Sequence, residues 1–188
     1  RVINLRRRRI DPDFHLNVFP YMADVLTKVT GLILVDTKHG PRYVEYTSQP
    51  MAIKVSLIKK GLRYDHNYKG TGYREESDLQ EQIRRMGYRM IFEPRFYVYH
   101  LNPESGGNRA LQDAAIRFYW KARNHTYFML KHRKPLYKLI SSNLIIVTYA
   151  LFYGKKAVSA VMRGIRDAFA ICRDQRTINV NELKSIAM

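Results

Sequence analysis

Stretches in which apolar residues recur every three or four positions alternate along this chain with short runs that read as strands. Leu79, Ile83 and Met86 mark a helix that stops at Gly87. Two aromatic and β-branched runs follow, Tyr88 to Glu93 and Arg95 to His100, divided by Pro94, and both are predicted strands. Alternation along the second run puts Phe96, Val98 and His100 on one face and Tyr97, Tyr99 and Leu101 on the other. Residues 102 to 109 are turn-rich. Upstream, Met22, Val25, Leu26 and Val29 form a helical face ending at Gly31, and Leu32 to Val35 reads as a short strand or a buried turn.

From near Leu111 the pattern is helical again. Leu111, Ala115, Phe118, Ala122 and Met129 share one side, Arg117, Lys121 and Lys131 lie elsewhere on the cylinder, and Pro135 ends the run. Leu139 to Gly154 then carries no charge, with Lys138 before it and Lys155 and Lys156 after it. As a helix this segment is about 24 Å long, short of the roughly 30 Å hydrocarbon core, so it is not expected to span a bilayer. Its basic ends and Tyr137, Tyr149 and Tyr153 fit a helix lying in the headgroup region, and packing against the rest of the protein or a second subunit fits equally well. Val158, Val161, Met162, Ile165 and Phe169 make a further apolar stripe. The expected division is 1–133 and a basic helical tail, 134–188.

Charge narrows the list of partners. In 188 residues, thirty-three Lys and Arg stand against sixteen acids, a formal net charge of +17. The solvent face is therefore broadly positive and suits nucleotide diphosphates, polyprenyl phosphates, anionic lipid or nucleic acid. Cys172 is the one cysteine, which excludes an internal disulfide and fits a reducing compartment. The basic run Arg6 to Arg9 leads into Asp11-Pro12-Asp13 rather than an apolar stretch, so it does not read as a signal peptide.

The densest chemistry is Arg74-Glu75-Glu76-Ser77-Asp78-Leu79, which crowds three carboxylates into the first turn of a predicted helix. Backbone N–H groups and the helix dipole favour negative charge there, and a carboxylate held on a rigid element suits proton abstraction. Ordinary capping explains the same residues. Gly106-Gly107-Asn108-Arg109 offers N–H groups and a guanidinium to a phosphate, or simply a turn. Arg123 and Asn124 suit an anionic ligand, or the bridging of one helix to its neighbours.

Taken in order, Tyr73 to Leu79, Ile83-Arg84-Arg85-Met86-Gly87-Tyr88, Pro94-Arg95, Val98-Tyr99-His100 and Gly106 to Arg109 resemble the second half of a family 2 glycosyltransferase of the GT-A type. Gln49 to Lys54, followed by Gly61 to Asp65, is similar to the strand and turn preceding the acidic helix there. Arg117 to Trp120 and Arg123-Asn124-His125 resemble the Arg-Asn helix of rhamnosyltransferase-like members. The resemblance spans residues 45 to 133. It implies an α/β fold, the C-terminal part of a GT-A domain with a mixed sheet, followed by C-terminal helices.

It also implies roles. Glu76 occupies the position of the general base that deprotonates the acceptor hydroxyl, one methylene longer than the family's usual Asp, so that Glu75 shares the candidacy and Asp78 supports or orients the turn. His100 maps onto a metal-binding histidine, and Arg109, Gly106, Gly107 and Arg123 onto substrate contacts. The implied cofactor is Mg²⁺ or Mn²⁺, with its main ligands expected upstream of this chain, since Asp11-Pro12-Asp13 follows four arginines instead of an apolar strand. Implied partners are a nucleotide-sugar donor and a glycan or lipid-linked acceptor, at the cytoplasmic face of a membrane and with an anionic membrane surface as a further partner. Starting at Arg1 and lacking the strands and glycine-rich turns of a donor-binding half, the chain is expected to be the C-terminal portion of a longer enzyme. The rival readings are a basic nucleic-acid-binding module, from tyrosines set among Lys and Arg, and a non-catalytic membrane-associated adaptor.

Overall fold

In the computed structural model the described residues are 41–46, 51–93, 95 and 113–186, with only the backbone described over 175–186. The features expected at residues 1–40, the run Phe96 to His100, the Gly106 to Arg109 turn and Leu111 lie outside them. Helix dominates: β1 (Arg42–Val44), α1 (Val55–Lys59), α2 (Glu75–Arg85), β2 (Met90–Phe92), α3 (Ala114–Lys131), α4 (Leu136–Leu151) and α5 (Lys155–Ile186). A small two-stranded sheet accompanies the helices, so the α/β expectation holds at that coarse level, and no mixed sheet occurs among the described residues.

The strands pair antiparallel, Arg42 opposite Phe92, Tyr43 opposite Ile91 and Val44 opposite Met90. Tyr43 and Ile91 face solvent while Met90 is buried, the alternation a one-sided sheet requires. The predicted strand at 88–93 is therefore present but shorter, and its described partner lies upstream. The strand expected at 49–54 is not formed over 51–54. There Met51 and Ile53 turn inward and Ala52 and Lys54 outward, a strand-like alternation with no ladder beside it, and the chain then coils into α1.

Leu57 of α1 packs with Leu62, Leu79 and Ile83, with Met51, Ile53, Met86 and Tyr88 around them. This cluster buries the apolar face of α2 that the helical spacing predicts. Gly87, at φ +86°, lets the N–H of Tyr88 reach back to the carbonyl of Ile83 at 3.2 Å and close the helix. Arg133, at φ +49°, ends α3 in the same way, the N–H of Lys134 bonding the carbonyl of Met129 at 2.9 Å. At its other end Asp113 caps α3 by accepting from the N–H of Ala115 at 2.7 Å.

α3 is the central element. Every residue from Lys121 to Met129 is buried, polar ones included. α4 and α5 pack on it. Phe118 and Ala122 share a cluster with Ile146 and Ala150 of α4 and Ala157 and Val161 of α5, and a second cluster joins Tyr127, Phe128 and Met129 to Tyr46, Tyr68 and Ala168. Pro135 stands between α3 and α4, as its ring predicts. The inward side of α5 is built of small residues, Ala157, Ala160, Val161, Gly164 and Ala168, whereas Met162 and Phe169 of the predicted stripe are about half exposed. Small residues win because the backbones come so close: a Cβ on Gly164 would lie 2.4 Å from the carbonyl oxygen of Tyr119 and 3.0 Å from the backbone nitrogen of Arg123.

That crossing gives a stability prediction. Gly164→Val should lower unfolding free energy by about 3 kcal/mol through overpacking, read as a lower urea midpoint at constant m-value. Ser159→Ala, on the exposed side of the same helix, should leave the midpoint in place. An unaltered Gly164→Val midpoint would contradict the close approach.

Candidate active site

A loop ties the acidic helix to α3. Residues 65–73 run antiparallel along α3, and their carbonyls and side chains supply the partners its buried polar positions need. The Oδ2 of Asp65 accepts from the Tyr127 hydroxyl at 2.8 Å and from the Lys131 ammonium at 2.7 Å, while its Oδ1 accepts from the N–H of Asn67 at 2.8 Å, a local turn that fixes the loop's entry. Arg123 donates to the carbonyl of Asn67 and Asn124 donates to the carbonyl of Lys69 at 2.8 Å. Next comes Gly70, at φ +67°, over which the Trp120 ring lies so closely that a Cβ would stand 2.3 Å from it.

Asp78 is sealed between α2 and the end of α3, with no solvent exposure. Its Oδ1 lies 2.6 Å from the Nε2 of His132 and 2.7 Å from the Lys131 ammonium, and accepts from the Tyr68 hydroxyl at 3.2 Å. Its Oδ2 accepts from the Gln82 amide at 2.8 Å. Burial alone would raise this carboxyl, but hydrogen bonds from His132 and Lys131 and the charge of Lys131 carry it below its ordinary value. Glu81, one turn on, accepts from Arg84 at 2.6 Å and from Lys134 and the Tyr46 hydroxyl at 3.0 Å each. Against the cost of its burial these bonds hold Glu81 at about 2, and Asp65 is likewise held at about 2 by Lys131, Asn67 and Tyr127.

Between the loop and α2 stands Arg74, left-handed at φ +76° and 2% exposed. A β-carbon in that region costs about 1 kcal/mol and persists where the surroundings over-determine it. Here the guanidinium donates through Nε to the Nδ1 of His125 at 3.2 Å and through Nη1 to the Ser77 hydroxyl at 3.3 Å. It also stands over the rings of Phe128 at 5.0 Å, Tyr73 at 5.6 Å and Tyr46 at 5.7 Å. Since Nδ1 of His125 accepts, its neutral proton sits on Nε2, a buried nitrogen with no hydrogen-bond partner among the described residues. Full burial, then the charges of Arg74 and Lys121, push the His125 imidazolium well below the usual histidine range and keep the ring neutral.

Arg74 sets the direction in which the next two side chains leave. Glu75 and Glu76 are half-buried in the first turn of α2, and the Glu75 carboxylate folds back onto Gly72, where a Cβ would come within 2.8 Å of it. Burial and the neighbouring Glu76 charge push the Glu75 carboxyl up from its ordinary value. Around the pair lie Tyr64, whose hydroxyl is pushed up by partial shielding and then by Glu76 and Glu75, and Tyr73, with the Lys121 ammonium 5.1 Å from its ring. The turn thus presents two adjacent carboxylates, one with raised proton affinity, on a backbone fixed from beneath.

Of the residues named from sequence, Glu75 and Glu76 are brought together at this turn. Asp78 faces the opposite way, into α3, and Arg123 bridges α3 to the loop with its guanidinium 5.4 Å from the Trp120 ring. His100, Gly106, Gly107 and Arg109 lie outside the described residues. Among the described residues no group of three or more His, Cys, Asp and Glu is placed to hold a metal ion. Sequence reasoning missed Arg74, Tyr73 and His125 as the turn's supports. Comparison with known proteins brings no relative to bear: no protein family, curated protein or solved structure matches the chain.

The carboxylate network yields an acid-stability prediction. Asp65, Asp78 and Glu81 have folded values below their ordinary 3.8 or 4.5, so their stabilisation is complete above those values and is lost as pH falls toward about 2. Melting temperature should drop steeply across that window. Asp78→Asn should flatten the drop and cost about 3 kcal/mol at neutral pH, because Lys131 and His132 lose their shared buried partner. A cost at neutral pH below about 0.5 kcal/mol would show that the buried pair carries no stability.

Proposed function

We propose that this chain carries the acceptor-activating half of a GT-A glycosyltransferase, which moves a sugar from a nucleotide-diphosphate donor to the hydroxyl of a glycan or lipid-linked acceptor. The observation that carries the reading is the Glu75–Glu76 pair: two carboxylates at a helix start, on a turn locked by Arg74, with the Glu75 carboxyl raised by burial and by its neighbour. Like charges side by side raise proton affinity, which is what a base taking a proton from a sugar alcohol requires. The order of motifs in the sequence supports the same assignment, and the +17 charge suits an anionic donor.

In this mechanism Glu76 accepts the proton of the acceptor hydroxyl as its oxygen attacks the anomeric carbon. The bond from that carbon to the diphosphate breaks, the electron pair leaves on the nucleoside diphosphate, and the anomeric centre inverts. Glu75 lies beside Glu76 and keeps the local proton affinity high. Asp78 supports from the interior by fixing the rotation of α2, without touching substrate. A divalent metal, with His100 as the residue of this chain that would help to hold it, would supply charge neutralisation for the departing diphosphate.

The test is sugar transfer from nucleotide-diphosphate donors by the full-length protein. Glu76→Gln should cut turnover by about a hundredfold or more, while protection against melting by nucleoside diphosphate stays as in the parent. Glu75→Gln should shift the pH profile of turnover to lower pH. Full turnover in both variants would remove the proposed base, and salt-sensitive oligonucleotide binding without nucleotide-sugar protection would assign the basic surface to nucleic acid.

A further inference from the structure

The helix α4 divides its large apolar residues between two sides, with Leu139, Ile146, Val147 and Tyr149 packed on the core and others turned to solvent. Its buried positions are Ser142, Ile146 and Ala150, and among the polar groups on that side the Ser142 hydroxyl donates to the carbonyl of Lys138 at 2.6 Å, while Asn143 accepts from Thr126 of α3 at 3.0 Å. The side turned to solvent carries Leu136, Tyr137, Ile140, Leu144, Leu151 and, just past the helix end, Phe152, each between 58% and 78% exposed. Spaced by three, four and seven, these residues form one stripe along the helix. Single exposed apolar residues are ordinary on a protein surface, but a continuous stripe of six marks a binding face.

We infer that this face docks on an anionic lipid bilayer. Charge selects that occupant. From Ala114 to Arg166 the sequence holds eleven Lys and Arg and no Asp or Glu, and of the eleven Arg133, Lys155, Lys156, Arg163 and Arg166 are exposed. Exposed Arg133 precedes α4 and exposed Lys155 and Lys156 follow it, the last paired with Asp113 at 2.7 Å. An apolar stripe between cationic ends matches lipid tails bounded by anionic headgroups. A second copy of this chain docked through the same face would bring the exposed Arg133, Lys155 and Lys156 of the two copies together, and α4 itself carries no carboxylate to face them. Sixteen residues make a helix of about 24 Å, so α4 lies in the plane of the interface. Among the described residues no helix is long and apolar enough to cross a membrane. Tyr137 and Phe152 sit at the two ends, where aromatic rings anchor at headgroup level.

The inference stands apart from sugar transfer, and its test reads neither turnover nor donor binding. The 188-residue chain is sedimented with vesicles of phosphatidylcholine alone and of phosphatidylcholine containing phosphatidylglycerol. Binding to the phosphatidylglycerol vesicles, weakened by salt, is expected. The outward double variant Ile140→Ser with Leu144→Ser should lose at least about tenfold in affinity at an unchanged melting temperature. Arg133→Glu with Lys155→Glu, which leaves the apolar stripe in place, should lose a comparable amount on anionic vesicles. Equal binding to both vesicle types, or binding unmoved by either double variant, would overturn it. So would light scattering that shows a dimer which the Ile140→Ser, Leu144→Ser pair dissociates, because the stripe would then be a contact between copies.

Discussion

A carboxylate sealed from water joins α2 to α3, and the geometry of the acidic turn depends on that joint. Stripping Asp78 of its hydration costs several kcal/mol unless charge and hydrogen bonds replace it. The replacements come from three places: Tyr68 in the loop, Gln82 one turn along the same helix, and Lys131 with His132 where α3 ends. Satisfying all four at once leaves α2 a single rotation about its axis. Hydrophobic contact is less directional, because burial of Leu79 and Ile83 depends on area removed from water rather than on bond angles. Polar satisfaction therefore sets the orientation, and apolar burial supplies most of the cohesion.

That rotation has a consequence two residues earlier. Side chains two apart on a helix point to nearly opposite sides, so fixing Asp78 inward fixes Glu76 outward. The loop before α2 then has to deliver its chain at one angle only, and Arg74 absorbs the mismatch with a left-handed backbone. A glycine would adopt that conformation more easily but could not fill the space between Tyr46, Tyr73 and Phe128 or bond His125 and Ser77. Strain at residue 74 is thus tied to rigidity at residues 75 and 76, a combination that suits a group required to hold one position during proton transfer.

The parts of this architecture legible in the sequence are those governed by period and by turn chemistry. Leu79 and Ile83 announced α2, Gly87 its end, the Ala115–Phe118–Ala122–Met129 row announced α3 and Pro135 its break, because each signal is local. Long-range pairings left no such trace. β1 is three residues long and finds β2 across nearly fifty positions, and the alternation at Met51 and Ile53 is genuine burial without a strand partner. Arg123 and Asn124, which open the polar run to Thr126 and read from sequence as either a ligand contact or a bridge between elements, are buried as a bridge. Polar residues on a helix are ordinarily read as solvent-facing, yet these are buried because their partners include backbone carbonyls in a loop some fifty-five residues away. Tyr119, Trp120, Tyr127 and Phe128, which spread aromatic rings over about half of the helix circumference, were the available signal that the middle of α3 is buried on more than one side.

The same central position explains why α4 has the pattern it has. α3 already fills its apolar side with Phe118, Phe128 and Met129, and α5 approaches it through glycine and alanine, so the closest approach of α4 is made by Ser142, Ile146 and Ala150. Ile146, Leu139, Val147 and Tyr149 pack on the core, and the remaining large side chains of α4, Leu136, Ile140, Leu144 and Leu151, are turned away from it. Reversing the helix to bury Leu144 and Ile140 would overpack the contact with α3, and would leave Asn143 without Thr126. The close α3–α5 crossing at Gly164 thus leaves α4 a narrow seat, in which Ser142, Ile146 and Ala150 face inward while Ile140, Leu144 and Leu151 face solvent.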